Sequence, residues 1–312
     1  MPMLSFNLSR RPACWLSLIL ILSAANSAKA DPIQTYVALG DNLAFGQTTI
    51  PPQPSYGDQG YVHLLANALG ANNNGIVPNV INLAIPGEMS SSYFTADNSN
   101  GFRSAGAQAN LNYGGDTSLA QRNILAGVIA AEHAAGRVIS TVSFALGAED
   151  FAALQRTSAF QGATLSQQEA MINQLVASLK TNYTTALTQI RGALPDAKVL
   201  LPSYYNPYGY LGSGNTQNVL TGYFVNSQLQ LVQSLSQQFN AGAVDLATPF
   251  VGHELQLTNV GSGNPLPNAQ GYAAIASQVI AVAEAPEPAS LSLFAIGATA
   301  AAGWRLGRRR VA

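Results

Sequence analysis

Tyr36-Val37-Ala38-Leu39-Gly40-Asp41-Asn42-Leu43-Ala44-Phe45-Gly46 is the stretch on which the fold turns. Its opening apolar residues run without alternation, the pattern of a strand buried on both faces, and Gly-Asp then breaks it into a turn. Working outward, short β-branched and apolar runs at 77–83, 138–145, 199–201 and 243–246 repeat that pattern. Helical spacing fills the intervals at 61–69, 119–135, 167–194, 223–239 and 269–283. The clearest is 167–194, where Ile172, Leu175, Val176, Leu179, Tyr183, Leu187 and Ile190 form one apolar stripe. Strand and helix alternating in this order predict an α/β chain, a three-layer α/β/α sandwich on a parallel sheet. In such a sheet ligand chemistry belongs to the loops after the carboxyl ends of the strands.

The two ends of the 312-residue chain read differently from its middle. Residues 1–30 carry Arg10 and Arg11, an apolar run over 13–25, then Ala28-Lys29-Ala30, the form of a cleaved export signal. A membrane anchor is the alternative, but the run falls short of the roughly 20 residues needed to span a bilayer. Residues 286–312 open with Pro286-Glu287-Pro288, continue apolar to Trp304 and close with Arg305, Arg308, Arg309 and Arg310. An apolar segment closed by arginines sits in a membrane with its basic end in the cytoplasm. Between the ends, 31–285 reads as one domain, undivided by a charge run or a low-complexity linker.

Charge excludes one class of partner. With 14 Lys plus Arg against 15 Asp plus Glu, and 9% charged residues, the chain lacks the basic footprint of a nucleic-acid binder. Cys14 is the single cysteine and lies in the export signal, so the remaining chain has no disulfide, thiol nucleophile or thiolate metal site.

Four short blocks at the expected strand ends resemble the GDSL (SGNH) esterase family. The opening stretch resembles the family's Gly-Asp-Ser-Leu, with Asn42 at the position of the serine nucleophile. Asn82-Leu83-Ala84-Ile85-Pro86-Gly87-Glu88 resembles the block whose glycine, here Gly87, gives an oxyanion its backbone N–H. Gly147-Ala148-Glu149-Asp150 resembles Gly-x-Asn-Asp, with Glu149 at the position of the oxyanion-binding asparagine. Gly263-Asn264-Pro265-Leu266-Pro267-Asn268-Ala269-Gln270-Gly271-Tyr272 resembles Asp-x-x-His-Pro-Asn, placing Gly263 at the aspartate and Leu266 at the base histidine. The resemblance implies the flavodoxin-like SGNH-hydrolase fold, ester hydrolysis of the lipase or acylhydrolase type and no cofactor. The tail at 286–312 resembles the PEP-CTERM sorting signal. That implies an exosortase as processing partner, transient anchoring in a membrane, and a final place at the surface or in the extracellular matrix of a Gram-negative bacterium.

The residues present cannot perform the family's reaction. A covalent acyl intermediate needs an oxygen nucleophile whose proton a neighbouring base removes, and the Asn42 carboxamide is a poor nucleophile with no proton that ionises near neutrality. Leu266 cannot shuttle a proton, and Gly263 has no carboxylate to orient a base. Glu149, when ionised, repels the charge of an oxyanion.

Rescue from elsewhere has few candidates. Of the 3 histidines, His63 and His133 fall in helical patterns, while His253 falls in a loop expected to face the site. Ser90, Ser91 and Ser92 read as a polar loop, with presentation of a hydroxyl as the alternative. Asp41 and Asp150 read as caps or braces of their own loops. No ligand spacing indicates a metal. The expected function is therefore an exported, catalytically impaired relative that binds an ester or acylated glycan. An esterase with a rearranged site and a structural matrix protein are the alternatives.

Overall fold

The computed structural model describes residues 33–285, so both targeting segments, 1–30 and 286–312, lie outside the described residues. In chain order the elements are β1 (Gln34–Gly40), α1 (Asn42–Phe45), α2 (Tyr61–Asn72), β2 (Asn79–Asn82), α3 (Ser92–Thr95), α4 (Arg103–Ala109) and α5 (Gln121–Ala134). There follow β3 (Val138–Ala145), α6 (Ala148–Gln155), α7 (Ser158–Gln161), α8 (Leu165–Ala193), β4 (Lys198–Pro202), α9 (Thr216–Phe239), β5 (Gly242–Val244), α10 (Glu254–Leu257) and α11 (Ala269–Glu284). Among the described residues no helix is long and apolar enough to cross a membrane.

The five strands form one parallel sheet in the order β2-β1-β3-β4-β5, with helices on both faces. Interior strand β1 has neighbours on both edges, and Tyr36 to Leu39 are fully buried, as the unbroken apolar run requires. Edge strand β2 is more open, with Val80 exposed. On the helical layers α2 packs against α11, and α8 against α9.

Five strands and five long helices stand where hydrophobic pattern places them, and the differences lie at the ends. Helix α8 starts at Leu165 because Thr164 and Gln167 form a capping box ahead of the apolar stripe. Helix α9 begins at Thr216 rather than 223, since Asn215 caps it by accepting from the Asn218 N–H. Strand β5 stops at Val244 because the Asp245 carboxylate turns the chain, accepting from the N–H groups of Ala247 and Thr248.

Strand order positions the site. β1 is followed by a connection to β2 on one edge, whereas β3 pairs on the opposite edge of β1. The chain segments leaving β1 and β3 therefore diverge, and a crevice opens at their carboxyl ends. Gly40 and Ala145 are partners in register there, so Asn42 and Glu149 follow two adjacent strand ends.

Candidate functional site

The floor of the crevice is buried polar backbone with its hydrogen bonds supplied by side chains. The Gln121 amide brackets Gly40, its Oε1 accepting from the Gly40 N–H at 3.0 Å and its Nε2 donating to the Gly40 carbonyl at 2.6 Å. Asp41 is fully buried and caps α1, accepting from the Leu43 N–H at 3.1 Å. The Tyr204 hydroxyl donates to its other oxygen. Burial pushes the Asp41 carboxyl up to about 8; the Tyr204 bond opposes the rise and the charge of Glu149 adds to it.

Asn42 projects from the first turn of α1 between two of the other predicted residues. The Gly87 N–H donates to Asn42 Oδ1 at 2.7 Å, and Asn42 Nδ2 donates to Glu149 Oε1 at 2.6 Å. A backbone N–H can only donate, so the bond to Gly87 fixes which end of the carboxamide faces it. Burial raises the Glu149 carboxyl, opposed by the Asn42 bond and Arg156 and assisted by Asp150. Gly87, Asn42 and Glu149 thus form one continuous chain of hydrogen bonds.

The turn that carries Gly87 is held from three sides. The Asn100 amide donates to the Gly87 carbonyl at 2.7 Å. Glu88 and Arg103 form an ion pair at 3.0 Å with neither side chain exposed, and the guanidinium also donates to the carbonyls of Thr117 and Leu119. Burial lifts Glu88 to about 7, against the pull of Arg103. Asp150 accepts from both the N–H and the hydroxyl of Ser90, at 2.8 and 2.7 Å.

Asn42, Glu149 and Leu266 line a cavity of about 170 Å³, walled largely by apolar side chains such as Phe151, Tyr205 and Pro267, with Asp41, Gln155 and Thr221 among them. The Thr221 hydroxyl on this wall is buried without a hydrogen-bond partner among the described residues. Gly263 lies apart from that lining, ending the turn Val260–Ser262 with a left-handed φ of 82°. Two expectations need correction. His253 does not face Asn42: the turn at Val251 and Gly252 carries it to a second cavity, also lined by Asn226 and Glu254. Ser90 and Ser92 are not a solvated loop, because both are buried, one under Asp150 and the other under Glu88.

The arrangement brings no nucleophilic oxygen and imidazole together. It offers an amide, a carboxyl of raised pKa and an apolar throat, which suit a small uncharged group. Among the described residues no group of three or more His, Cys, Asp or Glu is placed to hold a metal. Sequence reasoning missed Tyr204, Gln121 and the Glu88–Arg103 pair. Each partner lies far along the chain or in a segment of loop composition, so no local pattern marks it.

A family model described as GDSL-like lipase/acylhydrolase matches residues 36–279. Among solved structures the chain is similar to a lipase from a goat rumen metagenome at 18% identity, covering 80% of this chain and 97% of that one with a TM-score of 0.55. It is also similar to the acetylxylan esterase Axe2 of Geobacillus stearothermophilus at 13% identity, with coverages of 81% and 94% and a TM-score of 0.50. An extracellular lipase of Streptomyces rimosus gives 18% identity, 80% and 97% coverage and a TM-score of 0.50. At these identities the likeness is one of fold. No curated protein matches the chain.

Proposed function

The chain belongs to the GDSL-like lipase/acylhydrolase family, and on that premise we propose that it is an exported, surface-sorted member whose ester-hydrolysing centre is impaired or inactive and whose cavity binds an acylated polysaccharide. One observation carries the proposal: the Gly87 N–H, which the resemblance assigns to an oxyanion, is occupied by the carboxamide of Asn42 at 2.7 Å. A substrate oxygen must displace a bond already made, and once it has done so meets at position 42 a carboxamide in place of an attacking hydroxyl. The apolar throat beside Leu266 accepts a short acyl group, and the Asn42 and Glu149 groups at its end accept a polar carbonyl or hydroxyl. On this fold, one similar structure is named as acting on an acetylated polysaccharide.

Export by residues 1–30 and sorting by an exosortase through 286–312 complete the reading, resting on the sequence pattern of those segments. The rearranged-site alternative gains no support from the geometry, since Ser90 is clasped by Asp150 and His253 lines another cavity.

The test is hydrolysis of p-nitrophenyl acetate and butyrate by the natural chain and by a variant combining Asn42→Ser, Glu149→Asn, Gly263→Asp and Leu266→His. Loss of a nucleophile or base lowers turnover by roughly 10⁶, so the natural chain should stay near background while the variant gains activity. The left-handed backbone at Gly263 is one that Asp tolerates better than most residues. Turnover by the natural chain at the rate of an intact relative, or its labelling by a serine-directed fluorophosphonate, would overturn the proposal.

A further inference from the structure

The second cavity, which now holds His253, is larger than the first, about 560 Å³ against about 170 Å³. It lies within the roughly 300–1,000 Å³ typical of ligand sites. Three segments build it: the turn after β4, the first half of α9, and the loop that leads from β5 into α10. The two cavities are neighbours. Val225 walls both, and Thr221 on one side adjoins Gly222 on the other.

Its chemistry is unlike that of the Asn42 cavity. Asn206 and Asn218 are already satisfied, Asn206 Nδ2 donating to Asn218 Oδ1 at 2.6 Å and Asn218 Nδ2 to the Gly212 carbonyl at 2.8 Å, so they serve as a fixed wall. By contrast the side chains of Asn226, His253 and Gln256 are exposed and make no hydrogen bond within the described chain. Glu254 is only 6% exposed and spends one oxygen on the Gly252 N–H at 3.1 Å, which leaves its second oxygen free to accept. Apolar surface completes the rim: Tyr210 is 42% exposed, Val251 71% and Leu255 58%.

These groups select a ligand by class. Among the described residues no Lys or Arg lines the cavity, and a carboxylate does, so a phosphate, sulfate or uronate would enter unpaired against a like charge. Amides, an imidazole and a carboxylate facing an aromatic and aliphatic rim match a molecule that carries hydroxyls on its edge and C–H groups on its face. We propose that the cleft around Tyr210, Asn226, Glu254 and Gln256 is a binding site for a neutral oligosaccharide. Its shared wall with the Asn42 cavity lets one glycan chain occupy the cleft while a substituent enters the smaller pocket. The proposal goes beyond the reading of Asn42 and stands without it.

Isothermal titration of the purified full chain with cellotetraose, xylotetraose and chitotetraose, and with tetragalacturonate as the anionic comparator, tests it. At least one neutral tetrasaccharide should bind saturably, and Tyr210→Ala and the pair Asn226→Ala with Gln256→Ala should each weaken it by about tenfold or more. All three substitutions fall on exposed side chains, and unchanged circular dichroism separates lost binding from lost folding. Asn42→Ala should leave this binding in place, whereas it should abolish any extra affinity for an acetylated tetrasaccharide, so the two proposals fail separately. No saturable binding to any neutral tetrasaccharide, equal affinity for tetragalacturonate, or full affinity in the Tyr210→Ala variant overturns the assignment and leaves the exposed rim to a protein partner.

Discussion

Asn42 joins two groups that have no other hydrogen-bond partner among the described residues, a backbone N–H and a carboxyl at the mouth of a crevice. Asn42→Ala strands both, and each unmade bond in a part-buried site outweighs the methyl gained. The expected loss is about 1–3 kcal/mol in denaturant unfolding; a change within error would show that water replaces the bridge. Arg103 is a harsher case, because its removal strips the fully buried Glu88 carboxyl of its cation, so that the group must take up a proton or stay charged at a cost. Arg103→Ala should cost roughly 3–5 kcal/mol, read from the unfolding midpoint, and Glu88→Gln with Arg103→Met should recover part of it. The difference in legibility between these residues has a physical source. Asn42, Gly87 and Glu149 stand next to strand ends that hydrophobic pattern locates, so their meeting follows from the parallel sheet. Arg103 follows Asn98-Ser99-Asn100-Gly101-Phe102, whose composition says surface; only three-dimensional closure of that loop over Glu88 buries the guanidinium.

Helices and strands long enough to show a period were readable, and those of a turn or two were not. Helix α8 announces itself by its stripe, whereas α1, α3, α7 and α10 span 4 residues each and have no period to show. Of these, α1 and α7 have side-chain caps, from Asp41 and Thr157, while α3 and α10 have none. Helix α4 illustrates how tertiary contact overrides propensity. Replacing a helical glycine by alanine ordinarily stabilises by about 1 kcal/mol, but a Cβ on Gly106 would come within 1.7 Å of the Pro86 carbonyl oxygen. Gly106→Ala should therefore destabilise, measured by thermal melting, and should displace the Pro86–Gly87 turn enough to shift the Gly87 amide resonance. A rise in Tm would show that α4 can move off that turn at no cost. Thr164→Ala should cost about 1 kcal/mol by removing the capping box of α8.

For the whole molecule the dominant electrostatic fact is carboxyl burial. Folding raises Asp41 from 3.8 to about 8 and Glu88 from 4.5 to about 7, so between those limits the folded chain holds more protons than the unfolded one. Stability must then fall as pH rises across that window. Glu132, lowered from 4.5 to about 2 chiefly by its bond from Arg137, acts oppositely and only below the window, where its contribution is lost as pH falls. The melting temperature should peak near about pH 4–5 and decline toward pH 8, and Asp41→Asn should flatten the decline. A Tm independent of pH over that range would contradict the burial account. The three-layer architecture was legible from strand and helix order, because parallel strands with right-handed crossovers admit few arrangements. The position of His253 was not, since a loop of glycine and valine sets its direction without a periodic signature. Finally, the interior place of β1 has a consequence in time. Gln34 finds its partner on one edge only when Val138 has been made, about 100 residues later. At a synthesis rate of roughly 5–20 residues per second, the nascent chain waits on the order of 5–20 s with an apolar strand uncovered. A holdase that shields newly made Tyr36 to Leu39 should raise the folded yield more than one acting after release.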